Sequence, residues 1–366
     1  MNPSREGRER IFQALRFCFV AFVGLRLATF VIALAAEGLI PSHGLVLVPG
    51  WTPSGAGGPG WHSILTAWER FDALWFLRIA DSGYNPADES PAFFPLYPIA
   101  IRSVSPLLGG HVLLAATIVS NAAFLGALVV TYLLTTSELS ERHARTTVLL
   151  LCLFPTSYFF LMPYTESLFF LLAVTAFWGA RRREWAIAAV AAALAALTRS
   201  VGIVIAPALL VEALHQSREG RGAPWPGIAA ATAPLLGVLS YLASWQIRSG
   251  DWLLPLTRQS LWGREFTWPW ITIWDGTRIA FTQVGRTDGG YWLLDWLIVV
   301  PMLAASVYAI VRLRPSYGIY LWGGLLIPLT FVFQGRPLLS MPRFLLPLFP
   351  AFWGLALGLE RLRIPR

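Results

Sequence analysis

Apolar runs of about 17–25 residues recur along this chain from end to end, and that is the length a helix needs to cross a bilayer. No other feature restricts the fold as much, because in lipid every backbone N–H and C=O must find its partner inside the protein. A chain of 366 residues would ordinarily read as two or three soluble domains. That reading fails here, since 56% of the residues are hydrophobic, 13% are charged and the mean hydropathy is +0.59. A soluble fold of this size needs far more polar residues to cover its surface. The expected class is an all-α polytopic integral membrane protein, with residues 1–366 as a single transmembrane domain.

About ten crossings fit the hydropathy, near 12–36, 112–134, 146–161, 165–180, 185–198, 201–214, 225–247, 291–312, 317–333 and 341–359. Residues 185–214 also read as one long kinked segment. All 28 basic residues are Arg and none is Lys, giving a formal charge of +8. They stand singly or in short groups between the apolar runs, as orientation signals do, rather than clustering on a soluble face that would hold nucleic acid. The arginines before residue 17, those at 142–145, 181–183, 218–221 and 312–314, and those after 360 then all fall on one face, the cytoplasmic one. The other face receives two long loops, 37–111 and 248–290, and short turns at 162–165, 199–200 and 334–341. Within the first loop, residues 92–108 carry Pro95, Pro98, Pro106 and Arg102. They are expected to lie at the interface or re-enter it, packed on protein. Residues 49–60, rich in Gly, Pro and Ser, read as a flexible loop. Cys18 and Cys152 lie inside apolar runs and suggest neither a disulfide nor a metal site. With no small-residue cleavage site after it, the first apolar run is expected to remain as a signal anchor.

The stretch 68–81, WERFDALWFLRIAD, has helical period. At about 100° per residue, Trp68, Phe71, Trp75, Phe76 and Ile79 share one arc with Asp72 at its centre. A carboxylate in an apolar face is costly unless it has a partner or a task. Two readings stand: a structural ion pair with an arginine, or a general base in an outward cavity whose aromatic residues stack on a sugar ring. Glu166, in PYTES, begins a helix on the same side, where an acidic residue also compensates the helix dipole. Arg199 interrupts apolar sequence where two half-length helices meet, and Arg336 and Arg343 flank the last outer turn. Arginine binds phosphate with a planar fork of donors, and outer-side arginines run against the usual bias, so these are donor-phosphate candidates. A salt bridge to Glu166 or Asp72 is the plainer account of Arg199 and Arg343. His43 and His62 read as solvated loop residues, with no metal-ligand spacing. Trp252, Trp262, Trp268, Trp270 and Trp274 mark either the membrane interface or a carbohydrate or lipid groove.

Taken in order, WERFDALWFLRIADSGY, AFFPLYP, SNAAFLGAL, FPTSYFFLMPYTESLFFLL, AALTRSVGI and PRFLLPLFP resemble the PIG-V family, the group around GPI mannosyltransferase II and its bacterial relatives. The likeness is good over roughly 60–215, weaker at the C-terminal string, and one of hydropathy alone over 216–330. It implies a GT-C-type bundle of about ten transmembrane helices with interfacial helices on the outer face. It also implies a glycosyltransferase that takes its sugar, mannose by resemblance, from a polyprenyl phosphate on the non-cytoplasmic side. The acidic residue of the first outer loop acts as base in such enzymes, and by motif that is Asp72. Phe71 stands where the family more often has Trp. Thr198–Ser200 stands where eukaryotic members carry Arg-Ser, which supports Arg199. The same motifs make Trp68, Trp75, Tyr97, Tyr164 and Glu166 the substrate-binding candidates.

The implied chemistry agrees with the residues. A polyprenyl-phosphate sugar is already activated, so no cofactor, metal or nucleotide-binding fold is expected, and no Gly-rich phosphate loop is present. The acceptor, a glycolipid or envelope glycan, must lose a proton as it attacks, and the departing phosphate needs positive charge. The expected partners are the lipid-linked sugar, that acceptor and membrane lipid. The all-Arg composition points to a GC-rich bacterium and its plasma membrane, or the ER membrane in a eukaryote. The rival reading is a flippase for lipid-linked saccharides, opposed by the missing inverted repeat.

Overall fold

The computed structural model describes residues 3–39, 48–53, 63–284, 289–333 and 335–362. His43, His62, most of the 49–60 stretch, Arg363 and Arg366 lie outside the described residues.

Among the described residues, five helices are long and apolar enough to cross a bilayer: Glu9–Ala36, Val112–Glu138, Ser200–Arg218, Trp225–Ser249 and Tyr291–Arg312. The other five expected crossings fall on shorter or broken elements. Glu141–Leu153, Glu166–Arg181, Trp185–Thr198 and Pro315–Thr330 have 13, 16, 14 and 16 residues. Sixteen residues rise only about 24 Å, less than the hydrocarbon core of about 30 Å. Proline explains the breaks. Phe154, before Pro155, is forced out of helix to φ −63°, ψ 136°, so the expected 146–161 crossing stops at Leu153. Pro347 lies between Met341–Leu345 and Phe349–Leu362, which divide the expected 341–359 crossing. At Arg199 the backbone is extended (φ −152°, ψ 142°), so 185–214 is two helices joined by a 3-10 turn.

The exposed residues show what solvent the fold is made for. Phe12 is 68% exposed, and Phe19, Val20, Val31 and Ile32 of the same helix are similarly bare. An apolar face of that extent is a liability in water and is satisfied by lipid. Between helices, small residues let backbones approach. A Cβ built on Gly237 would come within 2.7 Å of the Ala193 carbonyl oxygen, so only glycine allows Trp225–Ser249 to lie against the alanine-rich Trp185–Thr198 helix. The main core runs through Phe124, Phe160, Phe169, Phe177, Tyr320, Phe349 and Trp353.

Residues 92–108 form a short helix, Leu96–Val104, and a 3-10 turn, Ser105–Leu108. Tyr97 and Ile101 face inward, and Arg102 caps the Asp81 carbonyl at 3.0 Å. The second long loop folds into helices Leu254–Ser260 and Pro269–Thr282. Between them the two-residue strand Glu265–Phe266 pairs antiparallel with Phe331–Val332, a small exception to the expected all-α fold. Trp252, Trp268, Trp270 and Trp274 of this loop are exposed, while Trp262 turns inward to donate to Glu89 at 3.2 Å.

Candidate active site

The helix that carries Asp72 begins at Asp72, not at Trp68. Phe71 adopts φ 54°, a left-handed conformation that no β-carbon-bearing residue takes freely, and it ends the turn through 67–70. Local bonds hold this strained corner. The Tyr164 hydroxyl donates to the Arg70 carbonyl at 3.3 Å, and Trp51 Nε1 donates to the buried Glu69 at 2.7 Å. The aromatic arc read from the sequence is therefore divided. Phe71 points outward, whereas Trp68 stacks on Tyr158 at 6.3 Å in the preceding turn. Trp75 stacks on Phe93, and Phe76 packs edge-on against Phe93, Tyr97 and Tyr164. Asp72 sits in the first turn, where a negative charge is favoured by the helix dipole, rather than at the centre of an apolar face.

Asp72 is one end of a chain of charges. Arg343 Nη1 donates to Asp72 Oδ2 at 2.8 Å, and Arg343 Nε lies 3.1 Å from Glu166 Oε1. Arg199 Nη1 meets the same Glu166 oxygen at 2.5 Å and also donates to Thr165 Oγ1 at 3.0 Å. The 3.1 Å approach has poor hydrogen-bond geometry, since Arg343 Nε is without a partner by angle, so it is a contact of charges more than a bond. Glu166 is the first residue of the Glu166–Arg181 helix, with its side chain only 1% exposed. It holds two guanidiniums in place from below. Arg199 is positioned by the extended residue between two helices. Gly202 closes that turn so tightly that an added Cβ would lie 2.6 Å from the Ala196 backbone. Arg343 comes from the short helix Met341–Leu345, which starts at the left-handed Ser340 (φ 66°).

Exposure separates the members. Glu166, Arg343 and Arg199 are 1%, 14% and 18% exposed at the side chain, while Asp72 is 40% exposed. Asp72 is the most open of these four to an incoming molecule. The ion pair and the accessible carboxylate, which the sequence presented as alternatives, are both present in one residue.

The other candidates divide. Tyr164 lies in the cluster, with Arg343 over its ring at 5.3 Å. Trp68 borders it through Tyr158, which with Phe159 continues the aromatic wall. Tyr97 does not line the opening. It is fully buried beneath the Asp72–Ser82 helix, its hydroxyl bonded to Ser120 Oγ at 2.6 Å and to the Ala116 carbonyl at 3.2 Å. Trp75 packs on the same side as Tyr97, with Arg78 over its ring at 5.8 Å. Arg336 does not join the Glu166 chain. It approaches Asp295 at 3.7 Å, with Tyr291 under its guanidinium at 5.9 Å. Among the described residues, no three His, Cys, Asp or Glu side chains come together as a metal-binding group.

One residue was missed. Arg264, just before strand Glu265–Phe266, places its guanidinium 5.4 Å from the centre of the Phe344 ring, which Arg199 and Arg343 also approach at 5.5 and 5.1 Å. The outer-side argument that singled out Arg336 applied equally to Arg264, Arg258 and Arg278, so it could not choose among them.

A family model described as mannosyltransferase (PIG-V) matches residues 19–219. GPI alpha-1,6-mannosyltransferase 2 of Mus musculus is 32% identical over 217 residues, covering 56% of this chain and 42% of that protein. The same protein of Rattus norvegicus is 32% identical over 195 residues, covering 50% and 39%. The chain thus spans less than half the length of these curated relatives. ArnT from Cupriavidus metallidurans, solved bound to undecaprenyl phosphate, superposes with a TM-score of 0.52 and 16% identity over 95% of this chain and 60% of that one. At that identity the likeness is one of fold, and the expected GT-C-type helical bundle is the fold it shares.

Proposed function

The chain belongs to the PIG-V mannosyltransferase family, and on that premise we propose that it transfers a hexose, mannose, from a polyprenyl-phosphate sugar to a glycolipid or envelope glycan on the non-cytoplasmic face. The observation that carries this reading is the exposed Asp72 carboxylate at the end of a buried chain of guanidiniums. A base and an anion-holding group lie side by side, joined by Arg343.

In the proposed reaction the acceptor hydroxyl gives its proton to Asp72 as its oxygen bonds to the anomeric carbon. The bond from that carbon to the phosphate oxygen breaks, and the electron pair leaves with the polyprenyl phosphate. Direct displacement inverts the anomeric centre. Arg199 and Arg343 stabilise the charge that gathers on the departing phosphate, and Glu166 keeps both aimed without meeting substrate. The sugar lies along the wall of Trp68, Tyr158 and Tyr164, where aromatic faces match its C–H face. The donor is activated by its own phosphodiester, so as proposed the reaction uses no cofactor. The relative solved with undecaprenyl phosphate supports a lipid-linked donor. The face is supported by the opposite end of the bundle, which gathers Arg142, Arg145, Arg181, Arg182, Arg218 and Arg314 as cytoplasmic loops do. Family membership and the exposed carboxylate favour this reading over a flippase.

The test is transfer of labelled mannose from mannosyl polyprenyl phosphate to an envelope lipid extract by the purified protein in detergent. Wild type should transfer. Asp72→Asn should lose roughly 10²–10⁴ in kcat with donor binding little changed. Absence of transfer by wild type, or near-normal turnover in Asp72→Asn, would overturn the assignment.

A further inference from the structure

Three guanidiniums, those of Arg199, Arg264 and Arg343, surround the single ring of Phe344, each within 5.5 Å of its centre. Two carboxylates answer them. Glu166 meets Arg199 and Arg343, and Asp72 meets Arg343. Among the described residues no carboxylate lies within salt-bridge distance of Arg264. Its Nη1 makes a long contact of 3.4 Å to the Phe331 carbonyl, and its Nε is buried without a partner. Its other neighbours are the faces of Phe333, at 4.9 Å, and Phe344. Burial, then the repulsion of Arg343 and of Arg199, holds its pKa below the ordinary arginine value in spite of the attraction of Asp72. The five side chains thus carry three positive and two negative charges, a net +1.

Loop and core deliver Arg264 together. The strand pair places Glu265 opposite Val332 and Phe266 opposite Phe331, and Thr267 N–H bonds the Thr330 carbonyl at 2.8 Å. This clip ties the second outer loop to the chain that leads, eleven residues after Val332, to Arg343. A guanidinium brought this far into a cluster of its own sign needs an anion.

We propose that Arg264 is the third arm of the phosphate site, supplying the uncompensated positive charge that binds the phosphodiester of the lipid-linked donor. This rests on the polyprenyl-phosphate donor proposed above and names a residue that reads it. The charges match through the reaction. The donor phosphodiester carries −1 against the cluster's +1. Transfer moves the acceptor proton to Asp72, which raises the cluster to +2 as the leaving phosphate becomes a monoester. With its second ionisation near pH 6, that monoester approaches −2 at neutral pH. Without Arg264 the cluster starts neutral and ends one charge short of its product.

The experiment measures binding of undecaprenyl phosphate, undecaprenol and inorganic phosphate to the detergent-purified protein through the quenching of its tryptophans. Wild type should prefer the phosphate lipid to the alcohol. Arg264→Gln should weaken undecaprenyl phosphate about ten- to a hundredfold, the size of one charged hydrogen bond, and leave undecaprenol unchanged. Arg264→Lys, which keeps the charge without the fork, should fall between. If Arg264→Gln does not fold, Arg264→Met keeps the stem over Phe333 and Phe344 and carries the same test. Binding of undecaprenyl phosphate within twofold of wild type in the neutral variant would overturn the proposal alone. Loss confined to inorganic phosphate would overturn the lipid headgroup as its ligand. A wild type that does not distinguish the two lipids would overturn the donor assignment as well.

Discussion

Glu166→Gln separates the residue that holds the site from the residues that work in it. The carboxylate is 1% exposed and meets Arg199 at 2.5 Å and Arg343 at 3.1 Å. Gln keeps the shape and one accepting oxygen but removes the charge, leaving two largely buried guanidiniums with Asp72 as their only carboxylate. Breaking a buried pair by removing one partner costs about 3–5 kcal/mol, because the charge left behind has no compensation. Asp72→Asn breaks a bond to the same Arg343, but from a side chain 40% exposed to solvent. That pair is half-buried and Arg343 keeps its contact with Glu166, so its loss costs less, about 1.5–3 kcal/mol for one charged hydrogen bond. Glu166→Gln should therefore be the more destabilising of the two neutralising substitutions, while both impair turnover. Unfolding in mixed micelles followed by tryptophan fluorescence reads the difference. A second reading comes from ligand. Without Glu166 the cluster's net charge rises from +1 to +2, so undecaprenyl phosphate should restore more stability to Glu166→Gln than it adds to wild type. At a hundred times its dissociation constant a ligand adds about 2.7 kcal/mol. Glu166→Gln unfolding within about 0.5 kcal/mol of wild type would refute the reasoning, since it would mean that the guanidiniums reach water or lipid headgroups unaided.

Two further outcomes follow from the geometry. Arg199→Gln and Arg343→Gln should each lower kcat/KM for the donor about ten- to a hundredfold, whereas Arg336→Gln, whose partner is Asp295, should change it less than threefold; equal losses at all three would place Arg336 in the phosphate site after all. Ala87→Cys, exposed in the first outer loop, should react with an impermeant thiol reagent in intact cells while Arg182→Cys does not, both native cysteines being buried; the reverse pattern would invert the membrane orientation.

How far the residues alone led depends on whether their partners are near in sequence. The apolar runs became helices because helix formation in lipid is a local requirement, visible over about 20 residues. The break at Arg199 was visible for the same reason, and so was Glu166 at a helix start, whereas the crossings expected at 146–161 and 341–359 ran straight through Pro155 and Pro347. Asp72 was singled out by a helical wheel that extended backwards through Phe71, whose left-handed φ no pattern of hydrophobicity encodes. Its partner Arg343 lies 271 positions away. Pairings of that kind depend on which loops the bundle brings together. For that reason Arg336 was grouped with the wrong charges and Arg264 was passed over. Tyr97 was singled out as an aromatic in a shared motif, and the structure shows that this motif builds the floor under Asp72.

The two ends of the Glu166–Arg181 helix provide the control for reading its first turn as a site. At the far end, Arg181 bonds Glu138 at 2.6 Å and Glu212 at 2.7 Å, and Glu212 also accepts from Gln216 and Ser316. Arg314 and Arg221 approach Glu219 at 3.0 and 3.9 Å. There three glutamates balance three arginines, and neither Arg181 nor Arg314 has a buried nitrogen without a partner, the buried Oε1 of Gln216 being the unbonded atom beside them. That is how a buried network looks when its task is to join helices, since an unmatched buried charge costs stability. At the Glu166 end, arginines exceed carboxylates by one, and Nε of both Arg264 and Arg343 is buried and unbonded. The same helix leaves one end balanced in charge and the other with one positive charge in excess. Stability alone accounts for the first cluster; the second, on the reading proposed above, is completed by a negatively charged molecule.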